Sequence, residues 1–165
     1  MANMRANPWS FTSSDQATSA AIASIVRNGQ GSALITTTGA HGLTGQPLIS
    51  LQGVVPILWN GIYTVQAVPS TTTLLIPIYG PQTTLANATT PGTLYTAAYG
   101  QTIDVTQMLW DGATTGSLNI TDGSGNPVWV PASPAFSGTL TYMKAHPIFG
   151  LVLVAITSGT LQISV

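Results

Sequence analysis

The sequence predicts an all-β fold made of two small antiparallel β modules, the C-terminal one a β-sandwich or jelly-roll-like barrel. Thr, Val, Ile, Leu and Tyr recur in short runs separated by Gly, Pro, Asn and Asp, the pattern of strands and turns. One segment alone, Asp15–Val26, carries a helical alternative, from several Ala and an acidic residue placed to cap. A Pro- and Thr-rich stretch without hydrophobic period divides the strand series in two.

Residues 1–21 read as an N-terminal arm in which Asn7-Pro8-Trp9-Ser10-Phe11 is a loose element. One topology has this arm return to the second module, with residues 22–90 inserted between. A strand is preferred from Ile22 onward, and Asp15–Ala21 stays open. The first module spans residues 22–80. Ser24–Arg27 and Ser32–Thr38 flank Asn28-Gly29-Gln30-Gly31, and Asn-Gly supplies the positive φ angles of a tight hairpin turn. Pro47–Gln52, Ile62–Val68 and Thr73–Ile78 read as further strands, punctuated by Asn60-Gly61 and Pro69-Ser70.

Residues 81–99 read as a linker or long loop, with Pro81, Pro91 and Gly92 in it. The second module spans residues 100–165. Its strands are Gln101–Leu109, Ser117–Thr121, Pro127–Val130, Thr139–Met143, Leu151–Ile156 and Thr160–Val165. Asp122-Gly123-Ser124-Gly125 and Ser158-Gly159 are its turns. Leu151–Ile156 is apolar in both alternation sets, which suits a central strand covered on both faces. Leu161–Val165 alternates cleanly, so one face is expected buried and one exposed.

Only 4% of the 165 residues are charged, against about 25% in an ordinary soluble domain. Arg5, Arg27 and Lys144 are the cations; Asp15, Asp104, Asp111 and Asp122 are the anions. Three scattered cations supply no phosphate-binding cluster, so no nucleic-acid partner is expected. The chain is 44% hydrophobic, which argues against disorder. The longest apolar stretch, Ile148–Ile156, has nine residues, and a spanning helix needs about 20, so no membrane partner is expected either. The N-terminal residues lack the apolar core of a secretory leader. Without Cys there is neither a disulfide framework nor a thiolate metal site. A net charge of −1 favours association over life as a free monomer, and points to work inside an assembly.

Two stretches carry a likeness. Ala40-His41-Gly42-Leu43-Thr44-Gly45-Gln46-Pro47-Leu48-Ile49-Ser50-Leu51-Gln52-Gly53, followed by Asn60-Gly61-Ile62-Tyr63-Thr64-Val65, resembles a small β module repeated in bacteriophage tail and virion proteins. The likeness covers about Ile22 to Ile78, and departs where the usual Gly-Asp is Gly45-Gln46. Ile103-Asp104-Val105-Thr106-Gln107-Met108-Leu109-Trp110, then Gly112–Gly116, then Ile120-Thr121-Asp122-Gly123-Ser124-Gly125-Asn126-Pro127-Val128-Trp129, is similar to small phage head and virion structural proteins. Gly150-Leu151 and Thr157–Ile163 complete that likeness over Gln101–Val165. It implies a virion component without fixing its place in the particle.

Catalytic chemistry is poorly supplied. There is no Glu or Cys, and no nucleophile elbow, phosphate loop or dinucleotide fingerprint. A carboxylate pair could come only from the four Asp, whose proximity is invisible in sequence. His41 lies in a Gly-rich turn, where a packed or hydrogen-bonded histidine is the plainer reading than a metal ligand. His146 is too far along the chain to give ligand spacing with it. Asp122–Asn126 opens like a calcium loop, but Pro127 and Ser133 stand where Gly and an acidic ligand are needed, which leaves a hairpin turn. Asn87-Ala88-Thr89 and Asn119-Ile120-Thr121 match glycosylation acceptors, as Thr-rich chains do by chance.

No enzyme activity, metal or cofactor is therefore expected. Trp110 and Trp129 end strands and are expected in the core. Trp9, Phe11 and Trp59 sit in the arm and beside a turn, where aromatics anchor interfaces, so they are the candidate interface residues. Together with the likeness, this predicts a non-enzymatic virion protein of the capsid decoration or cement kind, a homotrimer partnered by the major capsid protein. It would be made in the bacterial host cytoplasm and carried on the capsid surface. A tail, neck or fibre component is the structural alternative; a carbohydrate-binding β module using Trp59 or Trp9 is the other.

Overall fold

The computed structural model describes residues 8–28, 31–79, 86–96, 102–111, 117–129 and 138–165, with backbone only for 138–146. The described residues form β-strands and two single-turn 3-10 helices. The chain is all-β, with every strand pair antiparallel among the described residues.

It divides into two compact units. One comprises Met1–Ala17, Ala98–Asp122 and Asn126–Val165; the other comprises Thr18–Ala97 with Gly123–Gly125. The second unit's main segment thus interrupts the sequence of the first.

The discontinuous unit is a sandwich of two sheets around one core. Strands β1 (Trp9–Phe11), β14 (Thr160–Ser164), β9 (Thr102–Asp111) and β12 (Gly138–Phe149) form one sheet in that order. Strands β11 (Pro127–Trp129), β10 (Leu118–Thr121) and β13 (Val152–Ile156) form the other. Phe11, Val105, Met108, Trp110, Ile120, Leu153, Leu161 and Ile163 come from both sheets and pack into the same cluster. Trp110 is fully buried and its Nε1 donates to the Ser158 carbonyl at 2.9 Å, which fixes the turn leading into β14.

In β9 the inward residues switch parity. Ile103 and Val105 point in, then Met108 and Trp110, with Thr106 and Gln107 both exposed. The cause is a register shift. Thr141 pairs with Gln107 and His146 with Val105, so residues 142–145 of β12 stand opposite Thr106 alone.

In the other unit seven strands run in the order β5 (Gly61–Thr64), β4 (Leu48–Gln52), β8 (Thr93–Thr96), β2 (Ser19–Arg27), β3 (Ser32–Thr37), β7 (Thr73–Pro77), β6 (Ala67–Ser70). The two outermost strands, β5 and β6, are joined only by Val65 and Gln66. Val65 N–H donates to Pro47 O at 3.0 Å and Gln66 N–H to Leu75 O at 2.7 Å, so the sheet comes round on itself and leaves little free edge. Ile25, Ile35, Ile49, Leu51, Leu74, Ile76, Leu94 and Trp59 fill the interior.

Several sequence expectations are corrected. The element Asn7–Phe11 is not loose where it is described: Trp9–Phe11 pairs with β14, as in the topology that returns the arm to the second module, and β2 begins at Ser19 rather than Ile22. Asp15 ends a 3-10 turn, where its Oδ2 accepts the Thr12 N–H at 3.0 Å, and the helical alternative gives way to strand. That alternative came from several Ala and from Asp15 as a cap, neither of which decides against strand pairing. Ile22 pairs with Thr37 and Ser24 with Thr36, so Ala23 is an extra residue that breaks the period of two.

The expected linker, 81–99, contains a structural strand. Thr93–Thr96 is β8, between β4 and β2 inside the sheet, while residues 80–85 and 97–101 lie outside the described residues. Pro69-Ser70 is not a break, since both residues end β6. Leu151–Ile156 is not central: β13 ends its sheet among the described residues. Its outer edge receives the Ala17 N–H at Leu153 O, 2.8 Å, and offers the Ile156 N–H to Gln16 Oε1, 3.3 Å. Those contacts satisfy backbone groups on an edge that would otherwise be open.

Candidate functional site

The sequence-predicted interface residues do not form a surface. Phe11 is 1% exposed and lies in the sandwich core. Trp59 is 0% exposed, and its Nε1 donates to Ala86 O at 3.1 Å. Rings so enclosed cannot serve as surface anchors or sugar platforms. Trp9 is half-buried, pairs with Ile163 and packs against the same core as Phe11. Trp129 is likewise half-buried against that core.

What the chain does present is the loop between β4 and β5. Gly53, at φ 69°, ends β4 in a conformation that side-chain-bearing residues avoid. Val54 follows inward and Val55, Ile57 and Leu58 outward, before Trp59 turns back in. Ile57 is 75% exposed, Leu58 50% and Val55 49%.

The backbone under these side chains is braced. Asn60 clamps the neck, its Oδ1 accepting the Val54 N–H at 2.8 Å and its Nδ2 donating to Val54 O at 3.3 Å. Val55 N–H donates to Thr90 O at 3.0 Å, and Thr89 N–H to Val55 O at 2.9 Å. Trp59 N–H closes the 3-10 turn on Pro56 O, and Tyr63 Oη donates to Trp59 O at 3.0 Å. Three apolar side chains are therefore held out from a fixed loop. Sequence reading chose Trp59 because it is the large aromatic. The nearer signal was the run Val54-Val55-Pro56-Ile57-Leu58, too apolar for an ordinary turn.

The surroundings of this tip carry almost no charge. Arg27 is the only Asp, Glu, Lys or Arg in residues 18–97 and 123–125. Recognition by this unit must therefore come from apolar contact and hydrogen bonds.

Among the described residues the acidic and histidine side chains do not gather. Asp104 and Asp111 both lie on the exposed face of β9. Seven residues of strand place them about 20 Å apart, beyond the roughly 5–9.5 Å of a glycosidase pair. His41 is buried and structural: its Nδ1 accepts the Leu43 N–H at 3.1 Å, so Nε2 carries the proton and donates to Ser70 O at 3.2 Å. The side chain of His146 lies outside those described. Asp122 closes the β10–β11 hairpin, its Oδ1 and Oδ2 accepting the Asn126 N–H at 2.9 Å and Nδ2–H at 2.8 Å. Among the described residues no three His, Cys, Asp or Glu cluster as metal ligands. No helix among them is long and apolar enough to cross a membrane.

No protein family, curated protein or solved structure matches this chain.

Proposed function

We propose that this chain is a non-enzymatic structural protein of a bacteriophage particle, of the capsid decoration or cement kind. In this reading it binds the major capsid protein at the surface of the assembled shell, as a homotrimer, after synthesis in the bacterial host cytoplasm. The observation that carries the reading is the braced apolar tip, Val55, Ile57 and Leu58, on a unit with one formal charge. An exposed apolar cluster on a fixed loop suits docking on another protein. The likeness of residues 22–78 and 101–165 to phage virion modules supplies the particle.

The energetics favour a multimer. Complete burial of a Val, Leu or Ile side chain is worth about 1.5–3 kcal/mol, and about half to three-quarters of each of these three remains to be buried. One tip thus contributes about 3–5 kcal/mol, against an association cost of roughly 4–15 kcal/mol. A single tip does not hold a subunit in place. Several tips on one oligomer, engaging neighbouring capsomers, gain from effective concentration and do hold.

The test is to mix purified protein with undecorated particles and count copies by co-sedimentation. Decoration predicts copies on the order of the number of shell positions, and binding that varies little with salt, because few charges contribute. Ile57→Asp should abolish binding while leaving the unfolding midpoint unchanged. A few copies per particle would instead favour the tail, neck or fibre reading. Undiminished binding of Ile57→Asp would remove the tip from the interface.

A further inference from the structure

We propose that residues 86–90 form a strap that seats against the seven-stranded unit and controls whether the apolar tip keeps its docking shape. The strap acts on the tip of Val55, Ile57 and Leu58 described above, and so rests on the docking reading of that tip.

The strap lies between two neighbours. β8 pairs with β2 only over Ser19–Ala21, and beyond that point the strap takes its place. Ala88 N–H donates to Ile25 O at 3.3 Å, and Arg27 N–H to Asn87 Oδ1 at 3.3 Å. On its other side the strap meets the tip. Val55 N–H donates to Thr90 O, Thr89 N–H donates to Val55 O, and Trp59 Nε1 donates to Ala86 O. Both backbone groups of Val55 are thus satisfied by the strap. Beyond it the chain is pinned at Gly92, whose carbonyl accepts the Ile22 N–H at 3.1 Å.

Backbone hydrogen bonds, rather than burial, hold this segment. Ala86, Asn87, Thr89 and Thr90 are exposed, and only Ala88 packs on the interior. An alanine contributes one methyl group. Few apolar contacts and hydrogen bonds close to solvent are the marks of a segment that opens locally, without unfolding the sheet it covers. When the strap leaves, Val55 loses both partners, and the tip keeps the Asn60 clamp and its 3-10 turn. A loosened tip has to be ordered again on docking, and that ordering lowers affinity. The coupling is reciprocal: a partner that prefers the ordered tip must also favour the seated strap. Ala88 is therefore a positioning residue, acting on the tip through the strap's backbone.

The experiment is amide hydrogen exchange on the full chain, by NMR for the free protein and by mass spectrometry for protein on undecorated particles. In the free protein the Val55, Ala88 and Thr89 amides should exchange through one shared opening, more readily than the amides of β3. On particles, peptides covering residues 53–60 and 86–92 should both gain protection. Ala88→Asp, which turns a carboxylate toward the interior, should speed exchange at Val55 and weaken particle binding, each about tenfold, with β3 exchange unchanged. Ala88→Ser should keep the wild-type value of both. Separate openings for Val55 and the strap amides, or exchange of all of them only with β3, overturn the proposal. So does particle binding by Ala88→Asp at wild-type strength, or protection of the tip without the strap. Should Ala88→Asp fail to fold, exchange in the free wild-type protein decides. Wild-type protein that does not bind particles overturns the docking reading instead, and the shared opening still decides the strap.

Discussion

Replacing Trp59 with Ala separates the two roles an aromatic beside a turn can play. The indole is fully buried in the interior of the seven-stranded unit. Truncating such a ring costs about 3–5 kcal/mol in transfer and cavity terms. The lost Nε1 bond to Ala86 O adds little, because Ala86 is exposed and its carbonyl regains water. Taking about 4 kcal/mol, a unit of about 80 residues loses roughly 15–30 °C in Tm. Trp59→Phe keeps most of the volume and should cost about 1–2 kcal/mol. Urea unfolding followed by far-UV circular dichroism measures both variants. A Trp59→Ala protein that unfolds cooperatively at the wild-type midpoint would refute this placement and restore Trp59 as a surface anchor.

Gly92→Ala should destabilise strongly: at φ 70° a Cβ there would fall onto the Gln52 carbonyl oxygen and 2.8 Å from Val54 Cγ2, and thermal melting should show the loss. His41→Ala removes the acceptor of the Leu43 N–H and the donor to Ser70 O, and should cost about 1–3 kcal/mol by denaturant titration. Phe11→Ala should cost about 3–5 kcal/mol although the residue lies close to the N-terminus, whereas a loose arm would give no change in Tm.

Strands and turns marked by alternation and Gly were legible in the sequence. Ser32–Thr37, Leu48–Gln52, Thr73–Pro77 and Thr160–Ser164 fall within the predicted runs. What escaped were elements whose cause lies elsewhere in the chain. Thr93–Thr96 becomes a strand because β4 and β2 flank it, and its Pro91-Gly92 entry reads locally as loop. Trp9–Phe11 becomes a strand because β14 accepts it from the far end of the sequence. Ser19–Ala21 joins β2 ahead of the strand expected from Ile22, because it pairs with β8. At the candidate sites, residue type misled. Trp59 was chosen for its size, yet its flat ring fills the interior while smaller Ile57 and Leu58 face water.

The pairing of Trp9 with Ile163 has a consequence for synthesis. β1 is made before the seven-stranded unit, but its partner among the described strands, residues 160–164, is made after it. The strands of the seven-stranded unit are made in between and lie within one continuous stretch, so their contacts can form while the sandwich waits. During that interval Phe11 has no core to enter and β1 shows an unpaired edge, in a sequence with few charges to keep it dispersed. The slow step of maturation is then closure of the sandwich over the whole intervening chain. Slowing translation should prolong exposure of β1 and increase aggregation, whereas supplying residues 1–17 in trans should not complete the sheet efficiently, because the local concentration conferred by chain connectivity is lost.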